Sequence, residues 1–148
     1  MPKSNYRAAQ AAGSADDVEL AFYDALQSAD LEQLMACWAD EDDIVCVHPG
    51  GPRLVGAEAI RQAFEQMFAR GPVHALPERL RRIDSLGAAV HNVLERVEQH
   101  TAEGVQRAWV IATNVYLKTA DGWRLVAHHA SPGRTEVAEV TQHAQLLH

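Results

Sequence analysis

Apolar positions along the chain follow two periods. Behind Ser14-Ala15-Asp16-Asp17, which reads as a capped start, Val18, Ala21, Phe22, Ala25, Leu26 and Ala29 recur at helical spacing and predict a first amphipathic helix. Asp30 with Gln33 three residues on is a second capping box, followed by the stripe Leu31, Leu34, Met35 and Trp38, so a short second helix should end near Trp38. Acidic Asp40-Glu41-Asp42-Asp43 then reads as a loop. Ile44-Val45-Cys46-Val47-His48 is a β-rich run, stopped by Pro49-Gly50-Gly51-Pro52, which cannot continue a ladder. Ile60, Phe64, Met67 and Phe68 mark a third helix, closed by Gly71-Pro72.

From Leu76 onward the period becomes two. Turn signals at Asp84-Ser85 with Gly87, at Ala102-Glu103-Gly104 and at Ala120-Asp121-Gly122 divide this half into predicted strands at 76–84, 88–100, 105–118 and 122–131. Their short connections imply antiparallel hairpins. Three helices followed by a run of strands predict an α+β domain, with the N-terminal helices packed on one face of a strongly curved antiparallel sheet. The domain should span 14–134, between a poorly ordered arm at 1–13 and a tail at 135–148 to which the sequence gives no role.

Composition narrows the class. A chain of 148 residues, 47% hydrophobic and 22% charged, suits one domain able to bury a core without disulfides or a structural metal. Thirteen Lys and Arg against twenty Asp and Glu give a formal charge of −7, the wrong sign for holding nucleic acid through its phosphates. The basic cluster Arg79-Leu80-Arg81-Arg82 is short and interleaved with an apolar residue, as on a solvated strand face. No apolar run approaches the roughly 20 residues of a membrane span, and the N-terminus lacks the apolar stretch of a secretion signal. Cys37 and Cys46 both sit inside apolar runs, as expected of a reduced, cytoplasmic protein. Of the eight histidines, His48, His91, His128 and His129 fall in segments that otherwise read as buried, where an imidazole needs a partner or a purpose.

Several local words, in order along residues 15–132, resemble the SnoaL-like branch of the nuclear transport factor 2 superfamily. They are Val47-His48-Pro49-Gly50-Gly51 with Leu54-Val55-Gly56, Ala112-Thr113-Asn114-Val115-Tyr116, and Gly122-Trp123-Arg124-Leu125-Val126-Ala127-His128-His129-Ala130-Ser131. The resemblance implies a cystatin-like cone: a bent sheet whose concave face, closed by three helices, encloses a pocket, with homodimers formed through the outer sheet face. Members range from ketosteroid isomerase-like, cyclase and dehydratase enzymes to transport adaptors and association domains, so the pocket must decide the function.

Alternation puts His91, Val93, Glu95 and Val97 on one face of a strand. If that face is concave, Glu95 is desolvated and suited to carry a proton; if not, it pairs with an arginine such as Arg107. In related proteins a carboxylate on this strand often points into the pocket. His48 should stand at the pocket rim or be bonded to a backbone carbonyl. His128 and His129 are consecutive and point to opposite faces unless a bulge intervenes. His129, in register with Trp123, Leu125, Ala127 and Ser131, is taken as the pocket member, with Ser131 and His128 as further binding candidates, although Arg124, Val126, His128 and Ala130 read more like a dimer face. Asn114 and Tyr116 are candidate hydrogen-bonding groups for a ligand. Trp38, Phe64 and Phe68 fit core stripes and, as a second possibility, pocket walls. Asn114 can equally satisfy backbone groups at a bulge.

Neither a local metal-ligand motif, a phosphate-binding glycine loop nor a nucleotide fingerprint is present, so no metal and no cofactor are expected. The expected function is cofactor-independent acid/base chemistry of isomerase, cyclase or dehydratase type on a small apolar carbonyl compound. Glu95 would move the proton, with His129 and His48 orienting the substrate. A non-catalytic ligand-binding or dimerisation module is the alternative. Both readings include a homodimer and exclude nucleic acid and membrane partners.

Overall fold

The computed structural model describes residues 13–134; the expected arm, except Gly13, and the expected tail lie outside them. Helix α1 spans Ala15–Ser28. The Ser14 hydroxyl accepts the Asp17 N–H at 3.1 Å, satisfying one of the donors that a first helical turn leaves unpaired. Helix α2, Leu31–Ala36, is capped in the same way by the Asp30 carboxylate on the Gln33 N–H at 3.0 Å. The Gln33 amide donates to the Ala21 carbonyl at 3.0 Å, and so ties α2 to α1. Helix α3 spans Ala57–Phe68.

Six strands form one sheet: β1 Val45–Val47, β2 Arg53–Val55, β3 His74–Asp84, β4 Ala88–Thr101, β5 Gly104–Thr119 and β6 Gly122–Pro132. Their order is β2-β1-β6-β5-β4-β3. The wholly antiparallel sheet expected from the hairpins is corrected in one place, because β1 runs parallel to β6, with Cys46 opposite His128. The chain between them, including α3 and four strands, supplies the long connection that parallel pairing needs. Strand β2 escapes the sequence pattern because its three residues fall between the Pro-Gly break and the helix. Two hairpins share one turn. In each a Thr hydroxyl, from Thr101 or Thr119, donates to the carbonyl of Gly104 or Gly122 at 2.8 and 2.7 Å. Those glycines adopt φ of 109° and 102°, which a Cβ would strain.

The helices cover one face of the sheet in an α+β cone. Val18, Phe22 and Leu26 of α1 pack with Leu34, Ile60 and Phe64 in the core. Beside that apolar stripe, α1 carries a polar row at four-residue spacing, and all three members bond to the sheet. Glu19 meets His91 and Tyr116, Tyr23 meets Glu95 and Asn114, and the Gln27 amide donates to the Ala75 carbonyl at 2.7 Å. Helix α1 therefore docks on the sheet by polar groups as well as by oil.

Strand β6 contains an irregularity that decides the site. Tyr116 pairs with Leu125 and Val115 with Ala127, leaving Val126 as an extra residue. An extra residue reverses the alternation beyond it. Leu125 is buried, and past the bulge His128 and Ala130 are the buried positions while His129 and Ser131 are exposed. The basic run on β3 is likewise bulged, between Glu78 and Arg81, and Arg82 reaches Asp16 of α1 at 3.0 Å.

Candidate functional site

Between α1, α3 and the concave face of the sheet lies a cavity of about 190 Å³. Phe22 and Leu26 of α1, Phe64 and Met67 of α3, and Val97 and Val110 of the sheet give it apolar walls. Three polar side chains reach it: Glu95 from β4, His128 from β6 and His48 from the end of β1. The parallel pairing of β1 with β6 brings the two histidine rings to 6.3 Å between centroids.

Glu95 is buried, and its Oε2 accepts a hydrogen bond from the Tyr23 hydroxyl at 2.6 Å. Burial pushes its pKa up to about 7, against the lowering effect of the Tyr23 bond, and the nearby Glu19 charge raises it further. The same carboxylate, after burial, holds the Tyr23 phenol well above its ordinary value. The Asn114 amide donates to the Tyr23 oxygen at 3.2 Å, and its own oxygen lies 2.5 Å from His128 Nδ1. Burial first, then the neighbouring His48 and His129, lowers the His128 pKa to about 3, so the ring is neutral at any physiological pH. His48 is half-buried against the edge of Phe64, at 4.9 Å between centroids, with Nε2 3.5 Å from Cys46 Sγ. Burial lowers its pKa as well, and pushes the Cys46 thiol up to about 12, which makes that sulfur a poor nucleophile.

The structure thus gathers Glu95 and His48 at the cavity, with Phe64 in its wall. Other expected positions are corrected. His129 and Ser131 face outward because the Val126 bulge reverses the strand, and His128 takes the inward place. Asn114 is wholly buried, its amide bonded to Tyr23 and His128, and it does not line the cavity. The Tyr116 hydroxyl donates to Glu19 at 2.9 Å, away from the cavity. Trp38 packs in the core beside Leu125, which exchanges backbone bonds with Cys37 and Ala39, and Phe68 lies tilted against Phe64 at 6.0 Å between centroids, outside the cavity lining. Tyr23 escaped sequence reasoning because it follows Phe22 in a helix whose apolar stripe is complete without it. The Glu19, Tyr23, Gln27 row at the stripe's border was the available signal.

Among the described residues no group of three potential metal ligands gathers, and no helix is long and apolar enough to cross a membrane.

Helices closing the concave face of a bent sheet over a cavity define a nuclear transport factor 2-like domain. The SnoaL-like domain model matches residues 16–135, and the chain belongs to that family. A solved structure from Thiobacillus denitrificans, provisionally named a calcium/calmodulin-dependent protein kinase type II association domain, is 34% identical, with a TM-score of 0.75 over 82% of this chain and 97% of that one. One from Streptomyces avermitilis, provisionally named a dehydratase of the NTF2-like family, is 26% identical, with a TM-score of 0.73 over 82% of this chain and 95% of that one. The calcium/calmodulin-dependent kinase hub of S. rosetta shares the fold at 21% identity, with a TM-score of 0.64 over 80% of this chain and 94% of that one. No curated protein matches the sequence.

Proposed function

We propose that the protein is a cofactor-independent acid/base enzyme, of isomerase, cyclase or dehydratase type, acting on a small apolar carbonyl compound. One observation carries this reading: Glu95, with a pKa near 7, opens onto an apolar cavity while Tyr23 holds its other oxygen. A carboxyl balanced at neutral pH takes a proton from carbon and returns it at little cost in either direction. His48, the remaining polar lining group that can present an N–H, polarises the substrate oxygen. The Streptomyces structure, similar along most of the chain, bears a dehydratase's name, which supports the class of reaction.

The test is deuterium exchange beside the carbonyl of small cyclic ketones such as cyclohexanone, followed by NMR in heavy water. Wild-type protein should accelerate exchange roughly 10²–10⁴-fold over Glu95→Gln, with the rate rising with pH and levelling above about 7 as the carboxyl ionises. Equal exchange by the two proteins would remove Glu95 from the chemistry.

A second reading is an association module, and one surface favours it. Trp109, Ile111 and Val115 of β5, half-buried in a single chain, lie beside buried Leu94 of β4 and make much of the convex face of the sheet apolar. That pattern suits a homodimer through the outer face, and a relative named as an association domain is 34% identical. Light scattering of wild type and Ile111→Arg tests it: a dimer that the arginine splits supports the interface, and a wild-type monomer refutes it. The two readings are compatible. Free Cys37 and Cys46, both buried, fit a cytoplasmic location for either.

A further inference from the structure

The direction of the buried hydrogen bonds fixes what the cavity offers a ligand. Tyr23 has one hydroxyl proton, and at 2.6 Å it is given to the Glu95 carboxylate. Its contact with Asn114 is therefore an accepted bond, so the amide nitrogen faces Tyr23 at 3.2 Å and the amide oxygen faces His128. An amide oxygen only accepts, so His128 Nδ1, 2.5 Å away, carries the ring proton. Nε2 is left with a bare lone pair, on a ring only 4% exposed that lines the cavity and has no other hydrogen-bonding partner among the described residues. Every step follows from one proton on one phenol.

Size and charge complete the specification. Drug-sized sites enclose about 300–1,000 Å³, whereas a cavity of 150 Å³ accommodates benzene. At about 190 Å³ the space suits a single ring. Its lining holds no Lys or Arg, and Glu95 stands in it, so an anionic ligand meets repulsion and no counter-charge.

We propose that the cavity takes a neutral molecule of about one ring whose hydroxyl donates a hydrogen bond to His128 Nε2, the class of phenols and small cyclic alcohols. This rests on the cavity being the working site, and it adds a hydroxyl, held by a neutral acceptor, to the carbonyl compound on which Glu95 acts. Because His128 accepts and gives no proton, that hydroxyl is an anchor retained through the reaction rather than a leaving group.

The experiment compares p-cresol with p-xylene, which has the same shape but no donor, by calorimetric titration of the full chain. p-Cresol should bind at least about tenfold tighter, since a buried acceptor left unpaired opposes the xylene. Glu95→Gln should keep that preference and His128→Leu should abolish it. 4-Hydroxybenzoate and 2-naphthol should both bind more weakly than p-cresol. Imidazole 15N NMR of the wild type reads the tautomer without a variant: Nε2 should resonate as an unprotonated nitrogen and shift on adding p-cresol but not p-xylene. A protonated Nε2, p-xylene binding as tightly as p-cresol, a preference that follows Glu95 instead of His128, tighter binding of the anion or the two-ring probe, or no binding by any probe would each overturn the proposal. These readouts concern binding, so they fail independently of the deuterium exchange that tests Glu95.

Discussion

Two clusters of nearly the same composition lie side by side under α1. One contains Glu95, Tyr23, Asn114 and His128; the other contains Glu19, Tyr116 and His91. Each has a buried carboxylate, a tyrosine and a histidine, and in each the tyrosine hydroxyl donates to the carboxylate. They differ in what is left over. In the second cluster Glu19 Oε2 receives both His91 Nδ1 at 2.7 Å and the Tyr116 hydroxyl at 2.9 Å, while His91 Nε2 faces Asp16 at 3.9 Å, itself paired with Arg82. In the first, Glu95 and His128 line the cavity, and neither Glu95 Oε1 nor His128 Nε2 has a hydrogen-bonding partner among the described residues. Residue types do not make a site; the first cluster lines an apolar cavity, whereas Glu19 of the second lines a more polar groove beside Asp16, Asp24 and Arg82. The first cluster is accordingly read as chemistry and the second as architecture.

The contrast is broken most forcefully by removing each carboxylate in turn. Glu95→Gln, isosteric and still able to bond Tyr23, should lose roughly 10²–10⁴-fold in ketone exchange while thermal unfolding at pH 7 shows no loss of stability. Glu19→Ala should do the reverse. It strands a buried imidazole and a buried hydroxyl, at about 2–4 kcal/mol together, and calorimetry should register a Tm lower by roughly 5–15 °C. Exchange per folded molecule should change little. If Glu19→Ala left Tm unchanged, the second cluster would not be the structural one.

A smaller effect separates the two members of the cavity cluster by pH. Glu95 has a folded pKa raised to about 7, so the stability it contributes is complete below its unfolded value and is lost as pH rises through 7. His128 has a folded pKa lowered to about 3, so its contribution is complete above its unfolded value near 6.5 and is lost as pH falls. Between the two unfolded values, roughly pH 4.5 and 6.5, the slopes are opposite and each approaches about 1.4 kcal/mol per pH unit. Denaturant titrations should therefore find Glu95→Gln gaining on wild type as pH rises across this window, and His128→Leu losing to wild type. Parallel curves for all three proteins would mean that neither group is as desolvated as its position implies.

How much of this was legible in the sequence depends on where regularity held. Strand β4 is unbroken from Ala88 to Thr101, and strict alternation put His91, Val93, Glu95 and Val97 on one face, as the structure has them. Both helix caps were readable because Ser14 and Asp30 act within three residues of themselves. Whether the Glu95 face was concave was not readable, since that depends on which side the helices choose. Asn114 and Tyr116 are readable as polar groups on a mostly apolar strand face, but the α1 side chains they bond lie nearly a hundred residues earlier. Tyr23 and Glu19 were hidden by the same distance.

The smallest expected effect is also the cleanest check on the site's geometry. His128 and His129 are neighbours, and only the extra residue at Val126 decides which of them the cavity receives. His129, exposed on the outer face, should tolerate replacement by Ala within about 0.5 kcal/mol and leave ketone exchange and the p-cresol preference untouched. Deleting Val126 removes the extra residue while keeping the pairs on either side of it, Tyr116 with Leu125 and Val115 with Ala127, so the strand becomes regular and still carries His128 inward. In that deletion variant the 15N signature of a buried, unprotonated Nε2 should therefore stay on His128. A signature that moved to His129 would show that the strand slips its register with β5 instead of keeping the pairs that hold His128 against Phe22 and Asn114.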